Sequence, residues 1–383
     1  MCKYPFIFFV VSLALSVNAQ KTATVKFRKQ MIAAESFESA GVADINGDNI
    51  PDIMSGSFWY EGPDFLNRHY VGPVSRFNEF YNDFSTIPME VNGDGRIDFI
   101  TGGLHQPVGW IENPGKDTEW IRHDFGDTLL VEAIRLWDID GDGFEEVIPN
   151  IPGSPLVYYA AEKNTVRRPP WKFTKKMIPD IQGHGLGFGD INGDGVGDFV
   201  LSNGWLEAPS KNPRNKKQPT GWILHKEFNL GSASVPIIVA DVNKDKLTDF
   251  IAGNAHGYGL DWYEQKRKGK KRWWVKHPID PYQSQYHTME WVDIDNDGSM
   301  ELVTGKRYRA QSGQDAGDND DPGLYYFKWN GDSFTKNIIS YGPLGTGKGT
   351  GIFFSVADLR HTGRKDIVVA GKDGLWVFYN EGL

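Results

Sequence analysis

Cysteine is all but missing: Cys2 is the only one in 383 residues. It stands ahead of an apolar run, so no disulfide can hold the chain that follows. Positive charge is not in excess. Lysine and arginine number 41 against 50 aspartates and glutamates, a net charge of −9 with a pI near 5.5, which argues against nucleic acid as a partner because that needs a concentrated basic face. The one basic run, "QKRKGKKR" (265–272), lies between two strand-like segments and reads as a solvated hairpin turn. Long hydrophobic runs are lacking as well. The apolar stretch at residues 6–15 is too short for a membrane span. With Lys3 before it and small residues ending at Ala19 after it, residues 1–19 have the pattern of a signal peptide cleaved after Ala19. A lipid-anchored precursor would carry its cysteine after that run, so the expected product is soluble, begins at Gln20 and is secreted or periplasmic. An exported chain without disulfides needs another staple, and bound metal is the obvious candidate.

Helical periodicity is absent too, while 44 glycines, 21 prolines and 13% aromatic residues suggest many short strands joined by tight turns. A nine-residue segment recurs: "DINGDNIPD" (44–52), "EVNGDGRID" (90–98), "DIDGDGFEE" (138–146), "DINGDGVGD" (190–198), "DVNKDKLTD" (241–249), "DIDNDGSME" (293–301) and a worn copy, "DLRHTGRKD" (358–366). A repeat of this period indicates a propeller or an array. Around each copy an apolar strand enters, a second leaves, an aromatic third follows and a fourth alternates in charge, which is the blade of a β-propeller. The last unit lacks a fourth strand, and the chain opens on an orphan one, "TVKFRKQMI" (24–32). The expected fold over residues 20–383 is therefore all-β, a seven-bladed β-propeller whose last blade is closed by the N-terminal strand, removing exposed edges.

Each of the first six copies puts Asp, Asn or Glu at positions one, three, five and nine. Alternate side chains in a tight loop converge their oxygens on one point, which suits a hard cation taking 6–8 oxygen ligands, calcium above all. The expected ligands are Asp44, Asn46, Asp48 and Asp52; Glu90, Asn92, Asp94 and Asp98; Asp138, Asp140, Asp142 and Glu146; Asp190, Asn192, Asp194 and Asp198; Asp241, Asn243, Asp245 and Asp249; and Asp293, Asp295, Asp297 and Glu301. An EF-hand is a poor match, because its loop has 12 residues and flanking helices. Loops two and five depart from the pattern at Glu90 and Lys246. Loop seven, with Arg360 and Thr362 at ligand positions, is expected to hold no metal. The loops resemble the FG-GAP, or VCBS, repeats of integrin-type propellers, and that resemblance implies structural calcium.

The acidic loop joins strands one and two of each blade, so the loops joining strands two and three, and one blade to the next, must lie on the opposite face. His69, His123, His225, His277 and His361 fall in peripheral positions or in loop seven and read as surface residues. His105, His184, His256 and His287 fall on the opposite face. Six residues before each acidic loop stand Glu38, Phe84, Glu132, His184, Val235, His287 and Ile352, a ring at the channel mouth. Two histidines and two glutamates there suit a transition metal such as zinc, or another divalent ion. They equally suit an acid and base acting on a substrate, and the bland alternative is a hydrated channel lining. Blade six adds a long loop (305–323) whose Arg307, Tyr308 and Arg309 read as a lid over an anionic or polyhydroxylated ligand. Trp110, Trp205, Tyr258 and Trp262 are either sugar-stacking surfaces or blade core.

The segments "HGLGFGDINGDG", "SNGWLEAP" and "GKRYRA…DDPGLYYF" resemble the propeller of the aldos-2-ulose dehydratase family and related secreted VCBS proteins. That resemblance implies a carbohydrate lyase eliminating water or an alcohol from a keto-sugar or oxidised glycoside, although the sequence shows no cupin domain for the family's isomerase step. Elimination beside a carbonyl needs a base, a stabiliser of the enolate and an acid, for which the candidates are His184 as base, His287 and Glu132 as metal ligands or acid, with His105 and His256 nearby, and Arg307, Tyr308 and Lys348 as polar stabilisers. The expected partner is a carbohydrate or sugar-derived small molecule. The rival class is a non-catalytic glycan- or protein-binding module, and a structural adhesion role is a third. Neither composition nor spacing bears on oligomeric state.

Overall fold

The computed structural model describes residues 24–162, 172–209 and 221–383; the expected signal peptide, with Cys2 and the cleavage point at Ala19, lies outside them. Every regular element among the described residues is a strand. They form seven antiparallel sheets, one per repeat, and a separate two-residue-stranded hairpin, Arg76–Phe77 with Phe80–Tyr81. The first strands of neighbouring blades contact one another around the centre, for example Leu186–Gly189 against Ile238–Ala240.

The N-terminal strand Lys26–Ala33 lies against Leu375–Gly382 and is the fourth strand of blade seven. Blade two differs from expectation. Its second and third strands are one extended element, Asp98–Glu112, whose first part pairs with Ser85–Met89 and whose second part pairs with Ile121–Leu130. The basic run at 265–272 is the tip of a hairpin, with Lys268 opposite Lys271, but Gln265 within it is buried.

Alternation along the strands puts apolar side chains between blades. Blades five and six share one cluster containing Ile251, Leu260, Trp262, Met289, Leu302 and Phe327, each contributing on the order of 1.5–3 kcal/mol by leaving water. A recurring amide stitches the ring. Asn113, just past the third strand of blade two, and Gln265 and Asn380, within the third strands of blades five and seven, each donate to the position-two carbonyl of the preceding blade's acidic loop, Ile45, Ile191 and Ile294 (2.9, 3.1 and 2.8 Å). The acidic loops are thus tied to the blade interfaces, and a change in one reaches its neighbour.

Candidate functional site

The acidic loops share one backbone scheme. In loop one, Asp44 accepts the N–H groups of Gly47, Asp48 and Asn49, while Asp48 accepts that of Ile50. Position nine is a clamp: Asp52 is fully buried and accepts from Ile45 at position two and from Gly62 beyond strand three, both at 2.8 Å. Asp198 repeats this with Ile191 and Ala208 at 3.0 and 2.8 Å. Position six is left-handed in every copy, including Lys246 at φ 71°, so lysine keeps the turn that Asn49 supplies in loop one and Gly in the others. Asp138, Asp140 and Glu146 bring ligand atoms within 4.8 Å of one another, as do Asp293, Asp295 and Asp297. Loop six, however, also receives Lys328, whose ammonium pairs with Asp295 and with Asp297 at 2.6 Å. In loop seven, Arg360 donates to Asp366.

Burial pushes the position-nine carboxyls Glu146, Asp198, Asp249 and Glu301 up to about 7. Between the ordinary carboxyl range and about pH 7 the calcium-free folded state therefore holds protons that the unfolded state has released, so its stability falls as pH rises through that window. Calcium-depleted protein is expected to melt higher at pH 5 than at pH 8, and added calcium to raise the pH 8 midpoint most. Scanning fluorimetry at both pH values checks this; a flat or opposite trend in the depleted protein refutes it.

At the other end of the first strands the predicted ring converges. Phe84, Val235 and Ile352 pack in one apolar cluster, while the polar members lie beside it. His184 donates from Nδ1 to the Ala233 carbonyl at 2.7 Å, which leaves its Nε2 as the lone-pair nitrogen. Nε2 stands 3.7 Å from a Glu132 carboxylate oxygen, and His287 Nε2 stands 4.0 Å from the same oxygen. His256 joins from the loop between strands two and three of blade five. Its Nδ1 is held by Asp315 at 2.7 Å, so its Nε2 is likewise free to accept. The three imidazoles pack edge to face, His184 lying 4.7 and 4.9 Å from His256 and His287, and each offers one nitrogen within 4.8 Å of the others.

His287 is fully buried, and neither of its ring nitrogens has a hydrogen-bond partner; His184 Nε2 is also buried and unpartnered. Burying such groups unpaired costs on the order of 1–3 kcal/mol each, which calls for an occupant. A carbonyl or carboxylate holding the far nitrogen of a ligating histidine is the usual support of a metal site, and both supports are present. The residues therefore fit a divalent transition metal on three imidazoles, with Glu132 adjoining it. Burial, together with the charges of Arg307, His184 and His256, holds His287 well below the ordinary imidazole value, keeping the ring neutral and its nitrogen available. Burial alone would raise Glu132, but facing His184, with Arg307 and His256 near, brings it below the usual carboxylate value.

The remaining predicted residues divide. Arg307 is buried over Phe80 and Phe84, and its NH2 lies 3.4 Å from Glu38, the fourth polar ring member. Tyr308 is half-buried in the same loop. Lys348 is enclosed and committed to Asp373, so it is no free stabiliser. His105 stands apart from the cluster, exposed at φ 59° in the sharp turn of blade two with its ring edge on Phe77. Arg309 is spent on Glu79. The long loop is an ordered cap, knotted by the buried Asp318, which accepts the N–H groups of Ala310, Gln311, Gly313 and Asp315. Trp110, Trp205 and Trp262 are blade core, each stacked on the histidine opposite it, His123, His225 or His277; Tyr258 is exposed and bonds Asp320.

Four contributors escaped the sequence reading. Asp315 fixes His256. Lys372 lies 3.6 Å from Glu38, with burial pushing it down to about 8. Arg135 crosses the channel below the histidines to Glu290, Thr288 and the Val235 carbonyl. The peripheral histidines form a repeated set: "WYE", "WIE", "WLE" and "WYE" each place a Trp under the ring and a Glu on its Nε2, at 3.5, 2.7, 2.8 and 3.0 Å for His69, His123, His225 and His277. That recurrence was the available signal.

Residues 241–304, from the start of loop five into the second strand of blade six, match the family model of the FG-GAP-like repeat. The chain carries an FG-GAP-like repeat. Seven copies of the nine-residue loop stand in seven sheets, and this β-propeller is the fold on which the histidine cluster is mounted. No curated protein matches the chain. Among solved structures, the Tc holotoxin pore of Photorhabdus luminescens is similar at 14% identity and a TM-score of 0.34 over 92% of this chain. This chain covers 14% of that one's length. No helix among the described residues is long and apolar enough to cross a membrane.

Proposed function

We propose that the protein is a calcium-stabilised propeller enzyme, a carbon–oxygen lyase of the sugar dehydratase type, working at the channel mouth on a keto-sugar or oxidised glycoside. The observation that carries this reading is the fully buried His287 with two unpartnered nitrogens, set against His184, His256 and Glu132. Elimination beside a carbonyl needs a base for the α-proton, stabilisation of the oxyanion and an acid for the leaving group. A divalent metal on the three imidazoles would supply Lewis-acid stabilisation of that oxygen. His184 shares the geometry of the other two imidazoles, so Glu132, held ionised beside them, takes the role of base in its place. Arg307 adds positive charge on the same side. Lys372, protonated below about pH 8, is the candidate acid. Export, calcium in loops one to five and the carbohydrate partner belong to the same reading.

Metal analysis of protein purified without added metal, combined with a product screen on 1,5-anhydrofructose and 3-keto-glycosides, tests it. About one equivalent of zinc or another transition metal and an unsaturated product are expected. Saturable sugar binding without product points instead to a glycan-binding module. If His184→Ala retained full activity and metal, the centre would lie elsewhere.

A further inference from the structure

Loops three and six read almost alike, "DIDGDGFEE" and "DIDNDGSME", each with four carboxylates at positions one, three, five and nine. The ladders show what stands over each loop from strand three. Ile53 pairs with Tyr60, Phe199 with Leu206 and Phe250 with Tyr263, which sets Glu61, Glu207 and Glu264 at the next position in blades one, four and five. In blades four and five that glutamate reaches the loop's position-three asparagine: Glu207 accepts from Asn192 at 3.5 Å and Glu264 from Asn243 at 2.8 Å. In blade six, Leu302 pairs with Phe327, and the same register position is Lys328.

The charge is thus reversed at one blade, and the ammonium enters the loop. It pairs with Asp295, with Asp297 at 2.6 Å and with Glu301 at 3.6 Å. Glu301 is fully buried, and its Oε1 has no hydrogen bond, so Lys328 is the cation that faces it. Loop seven repeats the device by another route: Arg360, at ligand position three, turns its guanidinium onto Asp366 at 3.0 Å and onto the Asn380 carbonyl at 2.8 Å. Both side chains bring positive charge to the point on which the loop oxygens converge.

We infer that Lys328 is the resident cation of loop six, an internal substitute for calcium as Arg360 is in loop seven, so that blades six and seven hold their loops without metal. A divalent ion would have to displace an ammonium that already answers the carboxylates, and at such separations two like charges repel strongly. The inference rests on the calcium reading of the remaining loops.

The test compares wild type with Lys328→Ala and with Lys328→Glu, which installs the residue found at this position in blades one, four and five. Calcium stoichiometry is measured by equilibrium dialysis, and melting is followed in EGTA and in calcium. Both variants are expected to bind one more calcium than wild type, to melt below it in EGTA and to recover in calcium. Folded variants with the wild-type stoichiometry overturn the inference, as does a variant that calcium cannot fold, because calcium should replace the ammonium. A wild type that binds no calcium overturns the calcium reading and this inference with it. A wild type that binds calcium while neither variant gains any overturns the inference alone.

Discussion

Chelation with EGTA at pH 8 is expected to lower the thermal midpoint by on the order of ten degrees, and calcium, but not magnesium, to restore it. An ion bound only by the folded state stabilises it by mass action, about 2.7 kcal/mol per site when free calcium is a hundred times its dissociation constant. Several such sites together match the whole stability of an ordinary domain, about 5–15 kcal/mol. In a chain this long, about 1 kcal/mol moves the midpoint by one or two degrees. The effect should be cooperative, because the position-two carbonyls of loops one and four also accept the amides of Asn113 and Gln265 from the next blade. An unchanged midpoint in EGTA, read by scanning fluorimetry, sinks the role of the loops as calcium staples.

The second large effect is expected at the channel mouth. His287→Ala should abolish stoichiometric transition metal and lower kcat/KM by a factor of about 10² to 10⁴, while leaving the calcium-dependent midpoint close to wild type. Asp315→Asn should weaken metal binding by a smaller factor, about 10 to 100, because it acts only by orienting His256. The two assays separate the sites: metal content and elimination kinetics report the histidines, and the melt in EGTA reports the loops. Full metal content in His287→Ala would show that the imidazole cluster is only a packed channel lining.

What the sequence made legible follows from its periodicity. Seven copies of one nine-residue pattern gave the blade count, and the missing fourth strand at one end against an orphan strand at the other gave the closure that Lys26–Ala33 and Leu375–Gly382 make. Counting six residues back from each loop brought Glu132, His184 and His287 to one point, because equivalent strand positions in a propeller meet on a ring. The residues that escaped lie outside the nine-residue pattern and meet their partners only in the folded chain. Asp315 meets His256 only because the long loop folds over blade five, and Lys328 meets Asp297 only through the ladder of blade six. His105 went the other way: its loop position was read correctly, but the chain reverses there within one extended element, and the side chain stays outside. The fourth-strand histidines were read as surface residues, although the Trp beneath each and the Glu beside it recur in register.

The seam in blade seven also sets an order of assembly. Phe27 opposes Asn380 and Met31 opposes Trp376, so the strand Lys26–Ala33 has no partner until residues 375–382 exist. Blades one to six pair within short stretches of chain and can form as they emerge, whereas this pairing carries the whole loop-closure cost of the circle. Until then one edge of the seventh sheet is open to any passing strand. The moment of greatest exposure to misassembly therefore falls after the other strands of blade seven have formed, and it is ended when Lys26–Ala33 docks on Leu375–Gly382.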